Sequence, residues 1–273
     1  MSIATSPAPL RTRAAKAGPR RSAWLVAGLI LFSALPLSFG ILRLLQLAGL
    51  SDLMPPAHAS AIPLVSHIVG ALAYTLLGAV QFSPSIRRRW PAWHRVAGRL
   101  ALAGAALVVG SALWLTAAYA TPSVGGLVLA AFRLAVASAM AASIALGLAA
   151  ILRREIARHR EWMIRAYALG LGASTQMLVL IFAEIISGAA PTELNRALLM
   201  GLAWGLNLMV AEWSIRRGHA KEGPWRLGGA TSNVSFRRRK AVTSSRLSQR
   251  SERPRKPGPF LRLDEVRHTV TCH

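Results

Sequence analysis

The sequence predicts an all-α fold: a polytopic transmembrane bundle of about six helices with both termini in the cytoplasm. Three observations carry this. The 273-residue chain is 53% hydrophobic and 16% charged, with a mean hydropathy of +0.40, too apolar for a soluble domain to cover its surface. Apolar runs long enough to cross a hydrocarbon layer of about 30 Å recur with turn residues between them. The net charge of +23 is concentrated in alternate connections, as the positive-inside bias requires.

Helices are expected near residues 24–50, 64–82, 96–120, 127–152, 162–186 and 194–213. The first contains Pro36 and Arg43 and ends before a loop marked by Pro55, Pro56 and Pro63. Between the second and third lies a basic turn, 85–95, with Arg87, Arg88, Arg89 and Arg95; between the fourth and fifth lies another, 153–160. The third-to-fourth connection, 121–126, has no charge, and the fifth ends at the turn 187–191. No alternating ten-residue pattern suggests a barrel, so the spans are helical.

Residues 23–216 are thus expected to form the membrane domain, between basic disordered tails at 1–22 and 217–273. Arg20-Arg21 before an apolar run also suit a signal peptide, with Ala57-His58-Ala59 as a cleavage-like triplet, but the apolar run is too long and the triplet too distant. The expected location is the cytoplasmic (inner) membrane as a multi-pass protein, with anionic lipid headgroups as partners of the basic loops and tail; nucleic acid is not expected. The single cysteine, Cys272, excludes a disulfide framework, a cysteine-ligated cluster and a dithiol redox motif. Nothing in the chain suggests the nucleophile, phosphate loop or zinc motif of a hydrolase or ATPase.

Chemistry must therefore come from histidine and a few intramembrane charges. His94 and His159 precede the third and fifth apolar runs from the same side, so their imidazoles are expected at similar depth. Two such histidines suit the axial ligands of a b-type haem, with Arg95, Arg99, Arg160 and Arg165 available to its propionates and a quinone or other redox partner. Equally, His94, Trp93, His159 and Trp162 suit an interfacial belt with snorkelling arginines. His67, near the outer end of the second helix, is a less favoured haem-iron ligand, alone or with His58, or a histidine hydrogen-bonded at a helix terminus.

Arg43, His67, Arg133 and Glu184 form an expected polar cluster in the outer half of the bilayer, with Arg133 and Glu184 paired across antiparallel helices. It would serve a transporter, assembly factor or scaffold, or simply join helices. Gln176 and Asn207 are expected to bond between helices, and Gly98, Gly104, Gly170 and Gly172 to permit close packing. The segments 94–99 and 159–165 echo one another, suggesting two hairpins of like orientation.

Gln81-Phe82-Ser83, Arg87, His94-Arg95, Gly98-Arg99 and the run His159-Arg160-x-Trp162-Met163-Ile164-Arg165-x-Tyr167-Ala168-Leu169 resemble a bacterial family of predicted membrane proteins classed as domain-of-unknown-function family 2306. The resemblance covers roughly the second to fifth helices. It implies a compact helical membrane domain with His67, His94 and His159 at family positions, and no particular activity. The family's usual arginine after the tryptophan motif is replaced here by Ser174-Thr175-Gln176-Met177.

Overall fold

A computed structural model describes residues 19–55 and 59–222. The chain divides into two units, Met1–Arg217 and Gly218–His273, and the second is described only over residues 218–222, which are helical. Among the described residues there are eight helices: α1 (Pro19–Leu47), α2 (Ala61–Gln81), α3 (Pro84–Arg89), α4 (Pro91–Tyr119), α5 (Val124–Leu152), α6 (Ile156–Gly170), α7 (Gly172–Ser187) and α8 (Glu193–Glu222). They make six membrane-spanning segments, with α6 and α7 sharing one and α3 lying between α2 and α4. Large apolar side chains face outward along these spans, Leu31 at 77% and Ile186 at 82% exposure, as expected where the surrounding medium is a lipid bilayer.

The spans are longer than the apolar runs, mostly at the arginine-rich end. α4 begins at Pro91 rather than near 96, and α6 at Ile156 rather than near 162, so His94 and His159 lie in first turns instead of loops. Proline at the first helical position costs no hydrogen bond, which explains Pro84 and Pro91, and the Ser83 hydroxyl accepts from Ile86 N–H to start α3. Arginine is a good helix former, so charge ends the hydrocarbon span without ending the helix. The expected tails therefore differ at their inner edges, where 19–22 and 217–222 are helical; 1–18, 223–273 and His58 lie outside the described residues.

α2 and α4 make the tightest seam. A Cβ on Gly70 would stand 2.8 Å from the Gly104 carbonyl oxygen, and one on Gly104 2.9 Å from that of Gly70. Small residues are what let two backbones approach this closely in lipid. Tyr167 of α6 lies against Gly78 and donates from its hydroxyl to the Thr75 carbonyl at 2.9 Å. With Tyr74, Ala105, Met140 and Leu169 it forms the core.

The fifth span breaks at Leu171, flanked by Gly170 and Gly172. The Tyr74 ring occupies the space of a Gly170 Cβ, and the Trp204 indole that of a Gly172 Cβ. Asn207 splints the break: its Nδ2 donates to the Ala168 carbonyl at 3.1 Å and its Oδ1 accepts from Thr175 Oγ1 at 2.7 Å. Irregular backbone survives at bilayer depth only with such partners. α8 is thus held by side-chain bonds, completed by Gln176 Nε2 to the Met200 carbonyl at 3.4 Å and by an Arg165–Glu212 ion pair. At the turn after α5, Arg154 adopts φ 62°, a left-handed conformation usually left to glycine.

Candidate functional site

At the end opposite the arginine-rich turns, α5 and α8 are clasped by Glu193. Its two carboxylate oxygens accept from Thr121 Oγ1 at 2.6 Å and Ser123 Oγ at 2.5 Å, while Gly125 makes room for the first residues of α8. Beneath the clasp lies a vestibule of about 400 Å³, bordered by Tyr119, Thr121, Glu193 and Arg196. Deeper, a chamber of about 300 Å³ reaches the helix break, where Leu169, Gly170 and Ala173 line it. Thr116 and Arg133 border both spaces, so the two adjoin with Arg133 at the junction.

Arg133 is exposed into these spaces, and among the described residues it makes no ion pair or hydrogen bond. It sits nine residues inside α5, which at about 1.5 Å per residue is roughly 13 Å from the helix start. A cation at that depth needs water, a counter-charge or both. The expected Arg133–Glu184 ion pair is not formed. Both residues lie in the expected half of the span, but α5 packs on α4 and α6, whereas beyond the break α7 turns toward α1 and leaves Glu184 exposed.

His67 reaches the chamber from α2, with Nδ1 3.0 Å from Ser111 Oγ. The single Ser111 proton points to the Leu107 or Val108 carbonyl of its own helix, so Oγ accepts and His67 Nδ1 donates. Thr116, Gln176 and Trp204 supply further polar side-chain atoms; Val108, Met140 and Met200 are among its apolar walls.

Of the expected outer cluster, His67 and Arg133 therefore share a cavity, while Arg43 and Glu184 stand elsewhere. Arg43 donates to Gln46 Oε1 and to the Pro55 carbonyl, fastening the loop after α1. Sequence reasoning missed Thr116, Tyr119, Glu193, Arg196 and Trp204. The pair Glu193 and Arg196 at a helix start was a readable signal, whereas Trp204 inside an apolar run was not.

The second candidate cluster lies at the arginine-rich end. His94 and His159 are close enough to interact electrostatically. His159 Nδ1 donates to the Gly147 carbonyl at 2.8 Å, so that bond does not engage Nε2. His94 faces the Gln81 amide. With the amide nitrogen toward it, Gln81 donates to His94 Nδ1 at 2.8 Å and to the His94 carbonyl at 3.2 Å, and accepts from Gly98 N–H at 3.3 Å, so the His94 proton sits on Nε2. Arg95, Arg99 and Arg160 are exposed. Arg165 is not available to a propionate: it is bound by Glu212 and lies 4.6 Å over the Trp162 ring. Among the described residues no group of three metal-ligating side chains occurs.

Neither the curated proteins nor the solved structures contain a match to this chain. The family described as "Predicted membrane protein (DUF2306)" matches residues 64–215, a stretch that includes every residue bordering the two cavities and both histidines of the basic end, but not α1. With more than half of its length matched, the chain belongs to the DUF2306 family of predicted membrane proteins.

Proposed function

We propose that this protein is a non-enzymatic membrane binding protein or carrier that admits a small solute through the vestibule to the chamber at the helix break. The observation that carries this reading is Arg133, a cation without an ion pair among the described residues, at the junction of two adjoining cavities. Intramembrane ionisable groups and interrupted helices both favour solute sites over purely structural roles. The positive-inside bias puts the mouth on the outer face of the cell membrane and the arginine-rich turns, against anionic headgroups, on the cytoplasmic face.

Cys272→Ser yields a background without cysteine, into which Ala112→Cys, Thr116→Cys and Ala173→Cys are introduced singly. A membrane-impermeant thiosulfonate added from outside should modify all three, while Leu202→Cys, on a lipid-facing position of α8, stays unmodified. Failure of all three to react in folded protein from either side refutes the reading. Reaction from the cytoplasmic side alone reverses the orientation.

A second reading is supported by His159, whose Nδ1–H···O=C bond to Gly147 orients the ring as histidine ligands of metals are oriented. A b-type haem would take His159 Nε2 directly but His94 Nε2 only after Gln81 turns its amide, with Arg95, Arg99 and Arg160 left for the propionates. When bound, it would supply one-electron transfer between a quinol or cytoplasmic donor and an acceptor. A reduced-minus-oxidised α-band lost in both His94→Ala and His159→Ala supports this reading. A colourless, folded preparation from haem-replete cells removes it.

A further inference from the structure

We infer that the solute is a small organic monoanion, a carboxylate carried on a compact apolar or aromatic body. The inference rests on the solute-binding reading above and goes further by naming the chemical class.

Charge decides the head group. Two arginines, Arg133 and Arg196, border the vestibule against one carboxylate, Glu193, whose two oxygens are each occupied by a hydroxyl of the clasp. His67 Nδ1 donates to Ser111, and the ring brings no negative charge to offset the arginines. The vestibule is therefore left with an excess of positive charge at Arg133, where a guanidinium fork matches the two oxygens of a carboxylate. Among the described residues Arg133 is the one arginine or lysine that borders the inner chamber, so a single carboxylate is matched there.

Size and lining decide the body. At about 30 Å³ per water-sized group, a chamber of about 300 Å³ holds roughly ten such groups, enough for a substituted ring or a short chain. Trp204 contributes an aromatic edge, and Met140 and Met200 contribute sulfurs that adapt to a ring. The same carboxylate chemistry could reach the site from water or from the lipid leaflet; the vestibule's polar rim, Tyr119, Thr121, Glu193 and Arg196, favours water.

The test uses the full chain in phosphatidylcholine nanodiscs, with phenylacetate as the monoanion, phenylacetamide as its neutral isostere, and decanoate as a probe that also partitions into lipid. Binding is read by calorimetry. Phenylacetate should bind roughly tenfold or more tightly than the amide, the size expected when a charge-assisted bond is lost. Arg133→Gln should abolish that difference and Arg133→Lys should keep part of it; Met140→Trp, which fills the chamber, should weaken both probes. Binding of decanoate in preference to phenylacetate would move the source to the leaflet and overturn entry from water. Equal affinity for acid and amide, or an unchanged ratio in Arg133→Gln, overturns the inference, as does absence of binding by any probe. If Arg133→Gln does not fold, the acid-to-amide ratio of the native chain and of Arg133→Lys decides. Should the introduced cysteines react normally while the probes fail, the class is wrong and the cavity reading stands; should the cysteines also fail, the cavity reading itself is refuted.

Discussion

Arg165 and Glu212 tie α6 to α8 through two bonds, Nε to Oε1 at 2.5 Å and Nη2 to Oε2 at 3.1 Å, and a double-mutant cycle of Arg165→Met and Glu212→Gln measures their coupling. Two unit charges about 4 Å apart attract by about 4 kcal/mol at an effective dielectric constant of about 20. Desolvation and residual exposure offset much of that, the side chains being 21% and 37% exposed. The coupling should therefore lie at about 1–2 kcal/mol, above the range of freely exposed pairs and within that of charge-assisted hydrogen bonds. Glu212 also has Arg216 nearby, so Arg165→Met alone should cost less than the loss of an isolated partner. The assay is reversible unfolding in mixed micelles with rising SDS content, followed by circular dichroism. A coupling below about 0.3 kcal/mol, the usual error of additivity, would show that the contact does not hold α8 and would refute the reasoning.

Gly104→Val should destabilise the bundle by about 1–3 kcal/mol in the same assay, because the added carbons meet the backbone of α2, whereas Gly110→Ala, with open space at its Cβ, should be nearly neutral. Tyr167→Phe removes the hydroxyl donor to the Thr75 carbonyl and should cost about 1 kcal/mol, with no change in helical content. Arg154→Gly relieves a left-handed residue and should raise the melting midpoint, a gain of about 1 kcal/mol. Asn207→Leu leaves the Ala168 carbonyl and Thr175 hydroxyl unsplinted; a midpoint equal to that of the native protein would show that the break needs no bridge.

Six spans and their order were legible because hydrophobicity reports depth, and the arginine clusters reported which ends lie together. Depth is also why His94 and His159 were expected at a similar level on the arginine-rich side, and both lie in the first turns of helices there. What hydropathy does not report is azimuth. α5 is apolar nearly all round, so nothing in its sequence says which neighbour Arg133 faces, and the Arg133–Glu184 pairing failed on that point. The break at Leu171 was hidden for a related reason: Gly170 and Gly172 signal close packing, but not that the rings of Tyr74 and Trp204, brought in from α2 and α8, pack on either side of an interruption there. Gln176 and Asn207, read as interhelical bonding residues, do bond between helices.

The contrast between the two kinds of seam bears on assembly during synthesis. α2 and α4 meet through bare backbone at Gly70 and Gly104, a fit available as soon as both segments have left the translocon. α8 leaves after the other described helices, and besides the Glu193 clasp on the start of α5 its handholds belong to α6 and α7: the Ala168 carbonyl, Thr175, Gln176 and Arg165. Until it docks, Thr175 and the Ala168 carbonyl lack the partner that Asn207 provides. α8 thus brings Trp204 to the chamber wall in the same event that bridges the interrupted span, so a half-built bundle has neither a complete chamber lining nor a settled fifth span.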